Sequence, residues 1–224
     1  LFKVDLDKTP DAELVELWKA QKNAKLPWMV VRYPAETGIP VDPWSGPLSD
    51  QAVDSVMDSP KRREIARRIL KGDSAVWLLL EIGDKKKDDA AFKILSEQIK
   101  ILEKELKLPE IDPADIAQGL IMLDPAELKI RFSSMRLSRK NPAEKMFVEM
   151  LLGSEPDLRE FEEPMVFPVF GRGRALYALV GKGINQDTIA VAGDDLTGPC
   201  TCTVKRQNPG TDMLMAVDWE SLVE

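Results

Sequence analysis

Histidine does not occur among the 224 residues, and cysteine occurs only twice, at Cys200 and Cys202. Without imidazole there is no Ser-His-Asp or Cys-His nucleophile system, no His-ligated zinc and no imidazole proton shuttle. Catalysis would have to rest on carboxylates, lysine, tyrosine, cysteine or an exogenous metal. Two cysteines do not make a disulfide scaffold. No run approaches the roughly 18 apolar residues of a membrane-spanning helix, so no transmembrane segment is expected. Complete cofactor signatures are missing too. In Gly171-Arg172-Gly173-Arg174-Ala175-Leu176 a leucine stands where a dinucleotide fingerprint needs its third glycine. Gly181-Lys182-Gly183 lacks the glycine at position 176 and the Ser or Thr at 183 of a Walker loop. No cofactor is therefore expected, and a non-enzyme is favoured over an enzyme.

What is present reads as one globular domain. The chain is 44% hydrophobic and 31% charged, and it is long enough to bury a good core. A net charge of −7 argues against a general nucleic-acid binder and favours solubility; a protein or peptide partner stays open. The first residue is Leu1, not Met, which fits a mature form of an exported bacterial envelope protein; a cytoplasmic location stays open.

The clearest fold signal is Pro164 to Gly183. An apolar run from Met165 to Phe170 meets Gly171-Arg172-Gly173 and resumes from Ala175 to Val180, the pattern of a hairpin with both faces covered. Pro168 has no amide to donate and implies an edge position or a bulge there. Upstream, Trp28 to Tyr33 reads as a strand bracketed by Pro27 and Pro34, and Ala35 to Pro47 as a broken loop. Ser49 or Asp50 and then Ser59-Pro60 cap two helices, with Ile65, Ala66, Ile69 and Leu70 facing inward and Gly72 as the stop. The outer face of the second carries Lys61, Arg62, Arg63, Arg67 and Arg68, a solvated face with Glu64–Arg68 pairing or a dock for anionic lipid or nucleic acid. Ser74 to Glu81 is a central strand. Asp88 is expected to cap the next helix, whose stripe is Phe92, Leu95, Ile99, Leu102 and Leu106 and whose surface has a Glu103–Lys107 pair. Thr9-Pro10 opens an N-terminal helix, Leu128 to Phe132 (extending toward Leu137) is a half-buried strand, and Asn141-Pro142 caps a helix with Met146, Phe147, Met150 and Leu151 inside. Asn185 caps a last helix, and strands at Thr201–Lys205 and Met213–Val217 form a terminal hairpin.

Trp44-Ser45-Gly46-Pro47-Leu48 resembles the W-C-G-P-C loop of thioredoxins, with Ser45 and Leu48 at the two cysteine positions. A strand before it, a helix, buried strand and helix after it, and a later proline opening a hairpin follow the same order. The resemblance implies an α/β fold with a thioredoxin-like central mixed sheet and flanking helices. Its core would be residues 27–108 and 160–193, with an inserted strand–helix unit at about 109–159 and a C-terminal β-hairpin at about 199–219. It further implies that Pro164, or else Pro168, matches the family's cis-proline. Without its cysteines the loop cannot exchange thiols, so the implied role is a redox-inactive binding or scaffold module of a bacterial envelope protein, with Trp44, Ser45, Gly46, Pro47 and Pro164 as the binding set. An ordinary turn leading into a helix cap is the competing reading of the same loop, and a purely structural domain that of the chain.

Cys200-Thr201-Cys202 is the remaining reactive pair. It can be inert, close a strained disulfide, or offer two thiolates to a soft metal that would need further ligands. This thiol-disulfide or metal-handling role is the alternative function. The neighbouring carboxylates Glu162-Glu163 and Asp194-Asp195 point different ways along the chain and are expected to be solvated.

Overall fold

The computed structural model describes residues 2–33, 42–108, 129–197 and 210–222. Its centre is the strand β3 (Ala75–Glu81), whose six leading residues are all buried. Side chains alternate across the pleat, so Val76, Leu78 and Leu80 enter one apolar cluster while Ala75, Trp77 and Leu79 enter another on the opposite face. β4 (Phe132–Ser138) runs parallel to β3 on one side, and β5 (Met165–Phe170) runs antiparallel on the other. β6 (Arg174–Ala175) and β7 (Leu179–Val180) both pair with β5, and β8 (Thr211–Asp212) pairs with β6. The sheet order is β4-β3-β5-β6-β8, with β7 also on β5. This is the expected α/β fold with a mixed sheet and flanking helices.

Helices cover both faces. α4 (Lys85–Glu105) and α6 (Gln186–Thr197) pack Leu95, Ile99, Leu102, Ile189 and Ala192 against Trp77 and Leu79. Their close approach rests on Gly193, where an added Cβ would lie 2.9 Å from Leu102 Cδ1. On the other face sit α2 (Asp50–Met57), α3 (Pro60–Leu70) and α5 (Lys145–Leu152), which contribute Val56, Ile65, Phe147 and Leu151. Ser49 accepts from Ala52 N, Ser59 from Arg62 N, and Asn141 from Ala143 N, so these helix starts lie where their cap residues stand. Asn185 does the same for α6 through Asp187 N and Thr188 N.

Several expectations are corrected. α1 (Ala12–Lys19) begins two residues after Pro10, with Asp11 at its cap position and no side-chain bond there. β1 (Trp28–Val31) does not join the central sheet. Among the described residues it pairs only with β2 (Trp44–Pro47), so the Trp44 stretch is a strand and not a loop. The strand expected from Leu128 to Phe132 and on toward Leu137 starts at Phe132 and widens the sheet as expected, running next to β3 through Ser138. Glu103 does not pair with Lys107, which lies beyond the helix end; its carboxylate accepts the Phe132 N–H at 2.6 Å. On the same strand the Ser134 carbonyl accepts from the Arg68 guanidinium at 3.1 Å. Among the described residues β4 is the last strand on this side of the sheet, and the two bonds cover part of its outer edge, which blunts pairing with another chain.

The hairpin partner of β5 is interrupted between Ala175 and Leu179. The Pro168 carbonyl accepts from Leu176 N at 2.8 Å, so the absent amide of Pro168 faces this same strand. There the ladder breaks, and Ala178 N donates instead to Glu155 at 2.7 Å. At the C-terminus, Thr201–Lys205 lies outside the described residues. The expected strand at Met213–Val217 is irregular, because the Leu214 carbonyl is taken by the guanidinium of Arg62 at 3.0 Å.

Arg62 itself is not on the solvated face of α3. It is 1% exposed and lies on the stripe of Ile65, Ala66 and Ile69. The solvated face holds Glu64, whose carboxylate bonds Arg67 and Arg68, and these bonds pull its pKa from 4.5 down to about 2. A depressed folded-state pKa stabilises the fold above the ordinary carboxylate range and loses that contribution as pH falls from 4.5 through about 2. Because the cluster is solvent-screened, Glu64→Gln should cost no more than about 1 kcal/mol at pH 7, and the difference from wild type should close at low pH in urea titrations. A difference that persisted below pH 2 would assign the effect to something other than charge.

Candidate functional site

In open α/β sheets ligands gather beyond the carboxyl ends of the parallel strands. Here that end lies beyond Glu81 and Ser138, where the chain leaves β3 through Ile82-Gly83 into α4. The turn needs a left-handed residue, and Gly83 provides it at φ +93°. Asp84 caps α4 by accepting from Lys86 N and Lys87 N at 3.0 and 3.2 Å. Asp88, expected to be the cap, sits one turn in. It is 3% exposed and reaches back to accept Ile82 N and Gly83 N at 3.1 and 2.9 Å. Carboxylates thus occupy the positive end of the helix and the loop amides beside it.

The loop before β5 closes over this end. Lys87 Nζ pairs with Glu163 at 2.7 Å, which holds the lysine pKa above its ordinary value. Arg139, just past β4, donates to the Phe161 and Glu163 carbonyls at 3.2 and 3.3 Å. Burial pulls its pKa down, and the charge of Asp88 opposes that. Pro164 is buried next to this loop and its carbonyl accepts Gly181 N at 2.9 Å. The bonds entering Pro164 and Pro168 are trans; the cis bond found is Leu26–Pro27. Arg136 bridges Glu81 and Asp89 and lies 5.0 Å over the Phe92 ring, tying both parallel strands to α4.

The residues singled out from the sequence fall in different elements. Trp44, Ser45, Gly46 and Pro47 are the β2 strand. Trp44 folds over Gly46, where a Cβ would lie 2.8 Å from the indole, and packs on the cluster that contains Met165, the residue after Pro164. Ser45 and Pro47 are exposed. Cys200 and Cys202 lie outside the described residues. Of the carboxylate pairs, Glu163 is engaged by Lys87, and Asp195 accepts the Tyr177 hydroxyl at 2.8 Å; burial, and after it this bond, raises the tyrosine pKa. Sequence reasoning missed Arg62 and Arg139 as structural cations. The spacing of Arg62 from Ile65, Ala66 and Ile69 carried the signal for the first; nothing local marked the second.

Among the described residues no group of three or more His, Cys, Asp or Glu is arranged to hold a metal. No helix there is long and apolar enough to cross a membrane. No protein-family model matches the chain, and no curated protein or solved structure does. The site therefore stands on its own geometry. Asp84, Asp88, Lys87, Arg139 and Glu163 are engaged with backbone groups or with each other, so this end of the sheet presents a charged surface.

Proposed function

We propose that this chain is a redox-inactive, thioredoxin-like binding module that engages a protein or peptide at the end of the sheet where α4 begins. Support comes from the order of elements starting at β3: strand, helix, parallel strand, helix, antiparallel strand, hairpin partner, helix. α4 and α6 share one face and α5 takes the other. In this reading the module starts at β3, not at β1. The helix start that carries the thiols of an active relative is then Gly83-Asp84-Lys85-Lys86-Lys87, which has no cysteine. The observation that carries the reading is the Lys87–Glu163 pair at 2.7 Å, which sets the loop before Pro164 against that helix start. Its value is positional, because both side chains are about half exposed and such a pair adds little stability.

Two measurements test it. Oxidised insulin with a dithiol should be reduced no faster than the uncatalysed blank, and Cys200→Ser/Cys202→Ser should leave partner capture unchanged. A photo-crosslinking residue at exposed Lys86 should capture a partner from extracts of the source cells, while the same residue at exposed Glu97 on α4 should not. Insulin reduction above the blank, or loss of capture in the double serine variant, would move the function to the Cys200–Cys202 pair.

A further inference from the structure

A shallow groove of about 470 Å³ runs between α3 and the segment leading into α7 (Trp219–Leu222), on a surface separate from the candidate site. It is a built feature. Arg62 holds the Leu214 carbonyl, which lays residues 216–218 alongside α3, and Asp218 then accepts from Ser221 N and starts the short helix. The floor is apolar: Ala66, Leu70, Val217 and Leu222, of which Leu70 is 39% and Leu222 57% exposed. The α3 wall is basic, formed by Arg63, Arg67 and Lys71. Arg63 and Arg67 spend one side of their guanidinium groups on Asp58 and Glu64. Arg67 Nη1 and the Lys71 ammonium have no partner among the described residues.

This wall stands out in a chain of net charge −7, since residues 60–71 hold six Lys or Arg and a single Glu. An apolar floor beside a cationic wall fits one kind of occupant. We infer that the groove binds an amphipathic helix from a partner protein, with its apolar stripe on Leu70 and Leu222 and acidic residues along the flank that faces α3. Nucleic acid fits less well, because the groove has no aromatic platform for bases. An anionic bilayer fits less well, because the surface is concave and the rest of the chain repels it.

The probe is a fluorescein-labelled synthetic helical peptide with leucine at every third and fourth position and glutamate along one flank, followed by anisotropy. Saturable binding is expected, on the order of 10–100 µM at low salt, weakening as salt rises from about 50 to about 300 mM. Lys71→Glu should weaken it about fivefold, and Arg67→Glu/Lys71→Glu or Leu222→Asp about tenfold or more. Thermal melts should confirm that these exposed substitutions leave the fold intact, and Lys71→Glu breaks no side-chain pair among the described residues. A peptide with lysine in place of glutamate, or with the stripe scrambled, should not bind measurably. The proposal is overturned if the acidic peptide fails to saturate, if the scrambled peptide binds equally, or if Lys71→Glu changes nothing. It is equally overturned if anionic vesicles or duplex DNA bind the groove in preference, or if sedimentation reveals a dimer that Lys71→Glu dissociates.

Discussion

Arg62→Met should destabilise the protein by about 3–5 kcal/mol, because it removes a buried, hydrogen-bonded charge from its partners. The guanidinium is 1% exposed and spends its donors on four acceptors. Nε bonds Ser59 Oγ at 3.0 Å, Nη1 bonds the carbonyls of Val56 and Leu214 at 2.8 and 3.0 Å, and Nη2 bonds the Ser55 carbonyl at 2.9 Å. These carbonyls end α2 and hold the C-terminal segment, so one side chain fastens three parts of the chain. Burial pulls the Arg62 pKa down, while the charges of Asp58 and Glu144 push it up. Removing the cation leaves the carbonyls of Ser55, Val56 and Leu214 without this donor and takes away a positive charge that acts on fully buried Glu144. Arg62→Lys should recover little, because one ammonium cannot reach the same fork of acceptors. Adding Glu144→Gln to Arg62→Met should cost less than the two single losses combined, since the second change removes a charge that the first left unbalanced. Equilibrium urea unfolding measures all of these. A loss below about 1 kcal/mol for Arg62→Met would mean that water replaces the guanidinium and that the segment at Leu214 is not held by it.

The contrast between what the sequence reading reached and what it missed follows from the range of the interactions. Caps at Ser49, Ser59, Asn141 and Asn185, the stripe on α4 and the buried run of β3 are local patterns with fixed spacing, and each lies where its residues dictate. Pro168 was legible for the same reason, since a missing donor has one consequence wherever it stands. Strand partners are a different matter. Nothing in Trp28–Val31 distinguishes pairing with Trp44–Pro47 from pairing with β3, because both fill an apolar surface. The strand was therefore assigned to the wrong sheet. Arg62 was read from its charge, although its position on the Ile65 stripe points inward. The candidate site was legible only in part. Pro164 was singled out, while the Lys87–Glu163 pair spans 76 residues and has no sequence signature.

Asp88→Ala should cost about 2–3 kcal/mol, against about 1 kcal/mol for Asp84→Ala, although both carboxylates serve the same helix start. Asp84 is exposed, and water can take over its bonds to Lys86 N and Lys87 N. Asp88 is buried, and its two oxygens are the acceptors for Ile82 N and Gly83 N, at the point where β3 turns into α4. Bonds to a charged acceptor are worth more than neutral ones, and the alanine variant strands one donor that water reaches poorly. Asp88→Asn should fall between wild type and alanine. Its carbonyl keeps one amide, but its NH2 group faces the other donor, and the opposing charge beside Arg139 is lost. Urea unfolding gives the order of the three variants, and native-state hydrogen exchange at Ile82 and Gly83 should quicken in Asp88→Ala before global stability is reached. If Asp84→Ala and Asp88→Ala cost the same, burial does not separate them, and the helix start is held by the dipole alone. If the larger loss falls at Asp88, the end of the sheet is rigid because of an internal carboxylate. The surface built on it by Lys87, Glu163 and Arg139 is then fixed in the free protein, and the binding role proposed for it would carry little ordering cost.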